Sequence, residues 1–333
     1  MSGGTLRSSS LVLRELQARL GALARIEAPL GARTTYRVGG PAALMVEVSS
    51  EEDLARVHDA VASVSAMADV PLSLGGESGS TGNTEGSVQV LVLGKGSNLL
   101  VADSGFDGLV VALGPGLAWV EIEGLHARAG AATGLPVVAR QTAHSSLTGF
   151  EWAVGVPGSL GGAVRMNAGG HGSDMAATLV RCRIFDLESG EARDVPARCL
   201  SLGYRSSTLS PHQVVVWGEM ELAAGERQVS EATITSIVRW RRENQPGGSN
   251  AGSVFANPNG DSAGRLIEEA GLKGFRIGSA QVSPKHANFI QADEGGSADD
   301  VLCLIDHVKE EVARRSGVHL VPEVRLAGFR GRA

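Results

Sequence analysis

Between Gly155 and Gly170 the chain places six glycines in sixteen residues, in the order Gly155-Val156-Pro157-Gly158-Ser159-Leu160-Gly161-Gly162-Ala163-Val164-Arg165-Met166-Asn167-Ala168-Gly169-Gly170. Such a stretch cannot fill a core with its own side chains. It reads as a turn feeding a short helix of small residues, whose bare surface lets backbone or a flat ligand approach closely. A second segment has the same character. The apolar run 88–93 ends on Gly94-Lys95-Gly96-Ser97-Asn98, a strand delivering a glycine loop. Backbone N–H groups unshielded by Cβ atoms can reach phosphate oxygens, and Ser97 and Asn98 add donors. The spacing is neither of two familiar ones. A Rossmann fingerprint needs a glycine where Leu99 stands, and a Walker loop needs Gly-Lys-Ser/Thr in a longer frame. On residues alone, a structural turn stays open for the first loop and close helix packing for the second. Two such loops in one half of the chain favour an extended dinucleotide over a single phosphate.

The chain has 333 residues, a length that suggests two or three domains. Leu13, Leu16, Leu20, Leu23 and Ile26 recur at helical spacing and predict an amphipathic helix over 11–26. Residues 42–48 alternate like a strand, and Ser50-Glu51-Glu52-Asp53 caps a helix running to about residue 64. Residues 75–87 hold almost nothing apolar and read as a surface insertion. Further strands are expected at 109–113, 120–122, 127–129, 180–186, 192–195, 214–222 and 287–291. Helices are expected at 135–142, 231–242, 263–270 and 298–316, and Gln245-Pro246-Gly247-Gly248 reads as a linker.

Net charge is -6 with no Lys/Arg block, which argues against a nucleic-acid surface. Three scattered cysteines make neither a disulfide framework nor a Cys-rich metal site. The eight histidines form no ligand spacing, so no catalytic metal is expected. No secretory apolar region opens the chain and no run reaches spanning length, so a cytoplasmic protein without membrane insertion is expected.

Three polar residues could carry chemistry. Ser253 sits among small residues in Ala251-Gly252-Ser253-Val254-Phe255-Ala256-Asn257-Pro258, just before an Asn-Pro turn. No Gly-x-Ser-x-Gly elbow surrounds it, so acyl transfer is unsupported. Arg205, in Gly203-Tyr204-Arg205-Ser206, could clamp a carboxylate through its planar fork, although a lone arginine is more often a solvated charge. Glu323, in Pro322-Glu323-Val324-Arg325, is an ordinary strand carboxylate unless its surroundings say otherwise.

Taken in order, these segments resemble the UDP-N-acetylenolpyruvoylglucosamine reductase (MurB) family of flavoenzymes. The resemblance runs from Thr34-Thr35-Tyr36 through both glycine loops, Gly203 to Arg205 and Ala251 to Pro258. It continues through Gly264-Arg265-Leu266-Ile267-Glu268, Gly271-Leu272-Lys273-Gly274 and His286 to Ile290, and ends at Pro322 to Arg325. It covers nearly the whole chain beyond about residue 30.

The resemblance implies an α+β fold of the vanillyl-alcohol-oxidase-like kind. An N-terminal helix (1–33) would precede a two-part FAD-binding domain (34–224, divided near 113) and a C-terminal α+β substrate domain (225–333). The short interval from Arg242 to Ser253 matches the form of the family that lacks an extra substrate-clamping loop. Non-covalent FAD and the reductant NADPH are implied, with UDP-N-acetylglucosamine-enolpyruvate as substrate, and a monomer is the expectation. Gly94, Lys95, Gly96, Ser97, Asn98 and Leu99 would hold the cofactor from one side. Gly155, Pro157, Gly158, Gly161 and Gly162 would hold it from the other, joined by Arg165, Asn167 and Gly169.

Arg205, Ser253 and Glu323 would be catalytic, and Tyr204, Asn257 and Arg265 would bind substrate. In the implied reaction the enolpyruvyl ether becomes a lactyl ether. Arg205 and Glu323 would stabilise charge at the carboxylate, and Ser253 would give a proton to carbon. The chain departs from the family pattern at Ala256, where a basic residue is common, in the 75–87 insertion, and at Gln291-Ala292. Two other readings compete: a different flavin oxidoreductase, which has no need of all three polar residues, and a non-catalytic nucleotide-binding module, which would carry no flavin.

Overall fold

The computed structural model describes residues 5–68 and 89–329. The 75–87 insertion lies outside the described residues. The chain enters through α1 (Thr5–Leu20), which buries Val12, Leu13, Leu16 and Leu20. Burial of leucines such as Leu16 and Leu20 stabilises the fold by roughly 1.5–3 kcal/mol each. The helix stops at Gly21, which takes a left-handed φ of 55°. The chain then extends as β1 (Ala24–Ala28), antiparallel to β2 (Ala42–Val48). The helical expectation for 11–26 is therefore corrected at its end: Leu23 lies in a 3-10 turn, and Ile26 is an exposed strand residue. Because α1 and β1 pack with β2, residues 5–33 are part of the first unit.

Ser50 opens α2 (Glu51–Ala68), its Oγ accepting from the Asp53 N–H (3.1 Å). Glu51, Glu52 and Asp53 favour the positive end of the helix. β3 (Gln89–Leu93), β4 (Leu99–Val101) and β5 (Phe106–Leu113) follow. The sheet order is β1-β2-β5-β3, with β2 and β3 both parallel to β5. Buried on both faces, β5 shows the continuous apolar run that such strands need. β3 lies at the edge, and the first glycine loop leaves its C-terminal end.

The second unit holds β6 (Val120–Glu123), β7 (His126–Gly130), α3 (Leu135–His144) and α4 (Leu160–Arg165). It adds β8 (Leu179–Asp186), β9 (Ala192–Pro196), β10 (Gln213–Glu221) and α5 (Arg227–Asn244). Its strands form one antiparallel sheet in the order β9-β8-β10-β7-β6. α5 buries Ile234 and Ile237 in the same core as Leu135 and Val138 of α3. By packing it belongs to this unit, so the third unit begins after α5 and not at residue 225.

The third unit comprises α6 (Ala263–Glu269), the small antiparallel sheet β11 (Arg276–Ile277), β12 (Ala280–Val282) and β13 (Ile290–Ala292), and α7 (Ala298–Ser316). The strand expected at 287–291 begins only at Ile290, because a turn at 283–289 binds its own backbone through Ser283. Gly317, in the left-handed region, ends α7. The chain then returns to the first unit as β14 (Arg325–Ala327), parallel to β4. That return brings Glu323 beside the first glycine loop.

Candidate active site

Residues from all three units line one cleft of about 810 Å³, a size suited to a nucleotide-sized ligand. The two glycine loops both line it and touch one another. A Cβ at Gly94 would sit 2.3 Å from Ser159 Oγ, and one at Gly158 would sit 3.3 Å from Ser97 Oγ. Gly96 is left-handed (φ 61°), and a Cβ there would meet the Arg33 carbonyl at 2.7 Å. Its own carbonyl accepts from the Thr35 N–H (3.1 Å), so the Thr34-Thr35-Tyr36 segment braces the loop from behind. Ser159 precedes α4 but makes no capping hydrogen bond. Its buried hydroxyl has no partner among the described residues. A cradle free of Cβ atoms with an unpaired buried hydroxyl fits the diphosphate of a dinucleotide such as FAD.

Most of the expected cofactor residues line this cleft: Gly94 through Leu99, Gly155, Pro157, Gly158, Gly162, Arg165 and Gly169. Gly161 and Asn167 do not. A Cβ on Gly161 would stand 2.9 Å from Ala131 Cβ, so that glycine serves close packing of α4. Asn167 is buried and fully engaged, donating to Asp174 Oδ2 (3.1 Å) and the Gly203 carbonyl (2.9 Å) and accepting from the Ala176 N–H (2.9 Å). It holds the turn that carries Arg205.

Arg205, Ser253 and Glu323 all reach the cleft. Arg205 Nε lies 3.3 Å from Glu323 Oε2, and its Nη2 donates to the Gly169 carbonyl (3.2 Å). Its backbone is left-handed (φ 53°), a conformation costly for a non-glycine residue and common at functional sites. Burial pushes the Glu323 carboxyl up, while the Arg205 charge and hydrogen bonds from Arg205 and Tyr204 pull it partly back. The Glu323 N–H donates to the Val254 carbonyl (2.8 Å), which holds the Ser253 and Glu323 segments side by side. Among the described residues the Ser253 hydroxyl has no hydrogen-bond partner. The arrangement offers an anion clamp, a carboxyl and a free hydroxyl, facing one space.

The expected substrate residues divide. The Tyr204 ring lies 5.3 Å from the Arg205 guanidinium, and Tyr204 helps to pull the Glu323 carboxyl down. Asn257 Oδ1 accepts from the Ala263 N–H (3.1 Å) at the start of α6. Arg265 pairs with Asp261 and Glu269 on the exposed face of α6. None of the three lines the cleft, Tyr204 being exposed beside it.

Ser159 and Asn288 escaped the sequence reading. A serine before a helix passes for an ordinary cap, and the His286 to Ile290 stretch of the resemblance gives Asn288 no role. Trp240, also unforeseen, lines the cleft with its ring edge-on to His171 (5.1 Å between centroids). Asp186, Glu188 and His212 bring ligand atoms within 4.8 Å of one another, yet none of the three lines the cleft.

Residues 244–327 match the family described as UDP-N-acetylenolpyruvoylglucosamine reductase, C-terminal domain, and residues 83–195 match an FAD binding domain. The chain is 39% identical over 318 residues to UDP-N-acetylenolpyruvoylglucosamine reductase 2 of Symbiobacterium thermophilum, covering 95% of this chain and 96% of that protein. It is 35% identical to the reductase of Bacillus subtilis, with 95% and 98% covered. The crystal structure of the reductase from Thermus caldophilus superposes with a TM-score of 0.74 at 33% identity, covering 91% of this chain and 99% of that one.

Proposed function

The chain belongs to the UDP-N-acetylenolpyruvoylglucosamine reductase family, and from that premise we propose that Arg205, Ser253 and Glu323 carry its reaction. The enzyme reduces UDP-N-acetylglucosamine-enolpyruvate to UDP-N-acetylmuramate, with NADPH as reductant, in peptidoglycan precursor synthesis. The substrate gains a hydride at its methylene carbon and a proton at the neighbouring carbon. FAD, held by the two glycine loops, supplies the hydride chemistry when bound.

Arg205 holds the substrate carboxylate through its guanidinium fork and stabilises the negative charge that builds beside it. Glu323 orients that guanidinium from 3.3 Å. Burial raises its carboxyl above the ordinary range while Arg205 pulls it back, and the group stands ready to hydrogen-bond the substrate beside the guanidinium. Ser253 delivers the proton to the enolate-like carbon. A hydroxyl is a weak acid, but such a carbon is basic enough to take its proton. Tyr204 supports Glu323. A nucleotide-linked substrate and NADPH support a cytoplasmic location.

The observation that carries the reading is the convergence of an unpaired hydroxyl and an Arg–Glu pair in a cleft floored by two glycine loops. The test is NADPH oxidation by the flavin-loaded protein with UDP-N-acetylglucosamine-enolpyruvate. Substrate-dependent oxidation is expected, and flavin-loaded protein that shows none sinks the reading.

A further inference from the structure

Ser253 must meet a carbon whose place is set by Arg205 and Glu323, so the spacing between their segments governs proton transfer. Misplacement by about 1 Å can cost on the order of 100-fold in rate. A run of hydrogen bonds sets that spacing. The Asn288 side chain stands against Phe255 as a neighbouring strand would. Its Oδ1 accepts from the Phe255 N–H (2.9 Å), and its Nδ2 donates to the Phe255 carbonyl (2.8 Å). The Asn288 carbonyl also accepts from the Val254 N–H (2.9 Å). One residue thus secures three backbone groups immediately after Ser253. On the far side, the Val254 carbonyl accepts from the Glu323 N–H (2.8 Å), and Asn98 Nδ2 donates to the Glu323 carbonyl (2.9 Å). The Asn98 carbonyl accepts from the Arg325 N–H (3.0 Å). The ladder runs from Asn288 through Val254 and Glu323 to the first glycine loop.

Asn288 is 3% exposed and lies outside the cleft lining, so it acts through its neighbours. Such a buried amide is costly unless both its faces are paired, and here both are. We propose that Asn288 is a positioning residue for the proton-transfer half of the reaction, its amide replacing a strand beside Phe255 and fixing Ser253 relative to Glu323. The inference rests on Ser253 being the proton donor.

The isosteric Asn288→Asp makes the test. As a carboxylate it keeps an acceptor for the Phe255 N–H but sets negative charge against the Phe255 carbonyl. Once protonated, it regains a donor. In stopped-flow half-reactions of the flavin-loaded enzyme, reduction by NADPH should stay within about twofold of the parent. Reoxidation by substrate should slow about 10- to 100-fold at neutral pH, recover as pH falls, and show a larger solvent deuterium isotope effect. Equal slowing of both halves, or no recovery at low pH, overturns the inference. If Asn288→Asp does not fold, Asn288→Ala must show the same split, and its failure to do so has the same force. Ser253→Ala, run beside them, separates the two readings. Equal loss in both halves there removes the proton-donor role itself. A split at Ser253 without one at Asn288 removes only the positioning role.

Discussion

The two walls of the cleft are built on opposite plans. The cofactor wall works by leaving atoms out: Gly94, Gly96 and Gly158 clear a surface on which any side chain would intrude. The substrate wall works by adding side chains and then holding them, with Arg205 on a strained turn and Ser253 and Glu323 on segments laced through Asn288 and Asn98. A wall of absences needs only local sequence to form. A wall of held side chains needs partners brought from far along the chain, and it fails when any one of them shifts.

The largest expected effect tests the first plan. Gly96→Val forces a β-branched residue into the left-handed region and drives its Cβ onto the Arg33 carbonyl. The purified variant should lose essentially all of its visible flavin absorbance. Gly161→Ala provides the contrast, because its new Cβ meets only Ala131, inside the packing of α4. That variant should keep its flavin while losing about 1–3 kcal/mol of stability through overpacking. If Gly96→Val stays yellow, or Gly161→Ala turns colourless, the division between cradle glycines and packing glycines is wrong.

The same division explains what could be read before folding. Both glycine loops and the strand feeding the first are visible locally, since a missing side chain is written in the sequence itself. Most helices and strands also showed, because burial on one face imposes a period. The misreadings were of a different kind. Leu23 and Ile26 continued a helical period, but Gly21 ended the helix and β2 offered the next residues a partner. α5 looked like the start of a new domain until Ile234 and Ile237 were seen in the second core. On the substrate wall, only the family resemblance singled out Glu323. The contacts that give it meaning come from Asn98, 225 positions earlier, and from Arg205. Asn288 falls in the His286 to Ile290 stretch of the resemblance, but its role stays hidden, because a side chain imitating a strand has no period.

A middle-sized effect should appear in the pH dependence of stability. Burial raises the Glu323 carboxyl, and its partners lower it only in part. A carboxyl whose folded pKa exceeds its unfolded value binds more protons in the folded state. The stability it contributes is therefore present at low pH and lost as pH rises from about 4 through the folded value. Glu323→Gln removes that titration. The parent's melting temperature should fall more steeply than the variant's over this window. Parallel curves would mean that Arg205 and Tyr204 fully offset the burial, and the substrate wall would then carry no strain from its carboxylate.

The smallest effect is expected where the family resemblance and the fold disagree. Arg265 was a candidate for substrate binding, and the usually basic position before Asn257 is Ala256 here. In the structure Arg265 is committed to Asp261, just before α6, and to Glu269 at its end, and hydrogen bonds from its guanidinium hold the Asp261 carboxyl down to about 2. Exposed pairs of this kind contribute little to stability. They nevertheless occupy the guanidinium that a diphosphate would need. Arg265→Ala should therefore leave KM for the nucleotide substrate and kcat near the parent values, with only a slight change in melting temperature. A KM raised about tenfold at constant kcat would be a loss of uniform binding. It would show that Arg265 leaves its carboxylates for the ligand, and that the substrate wall is completed only when substrate arrives.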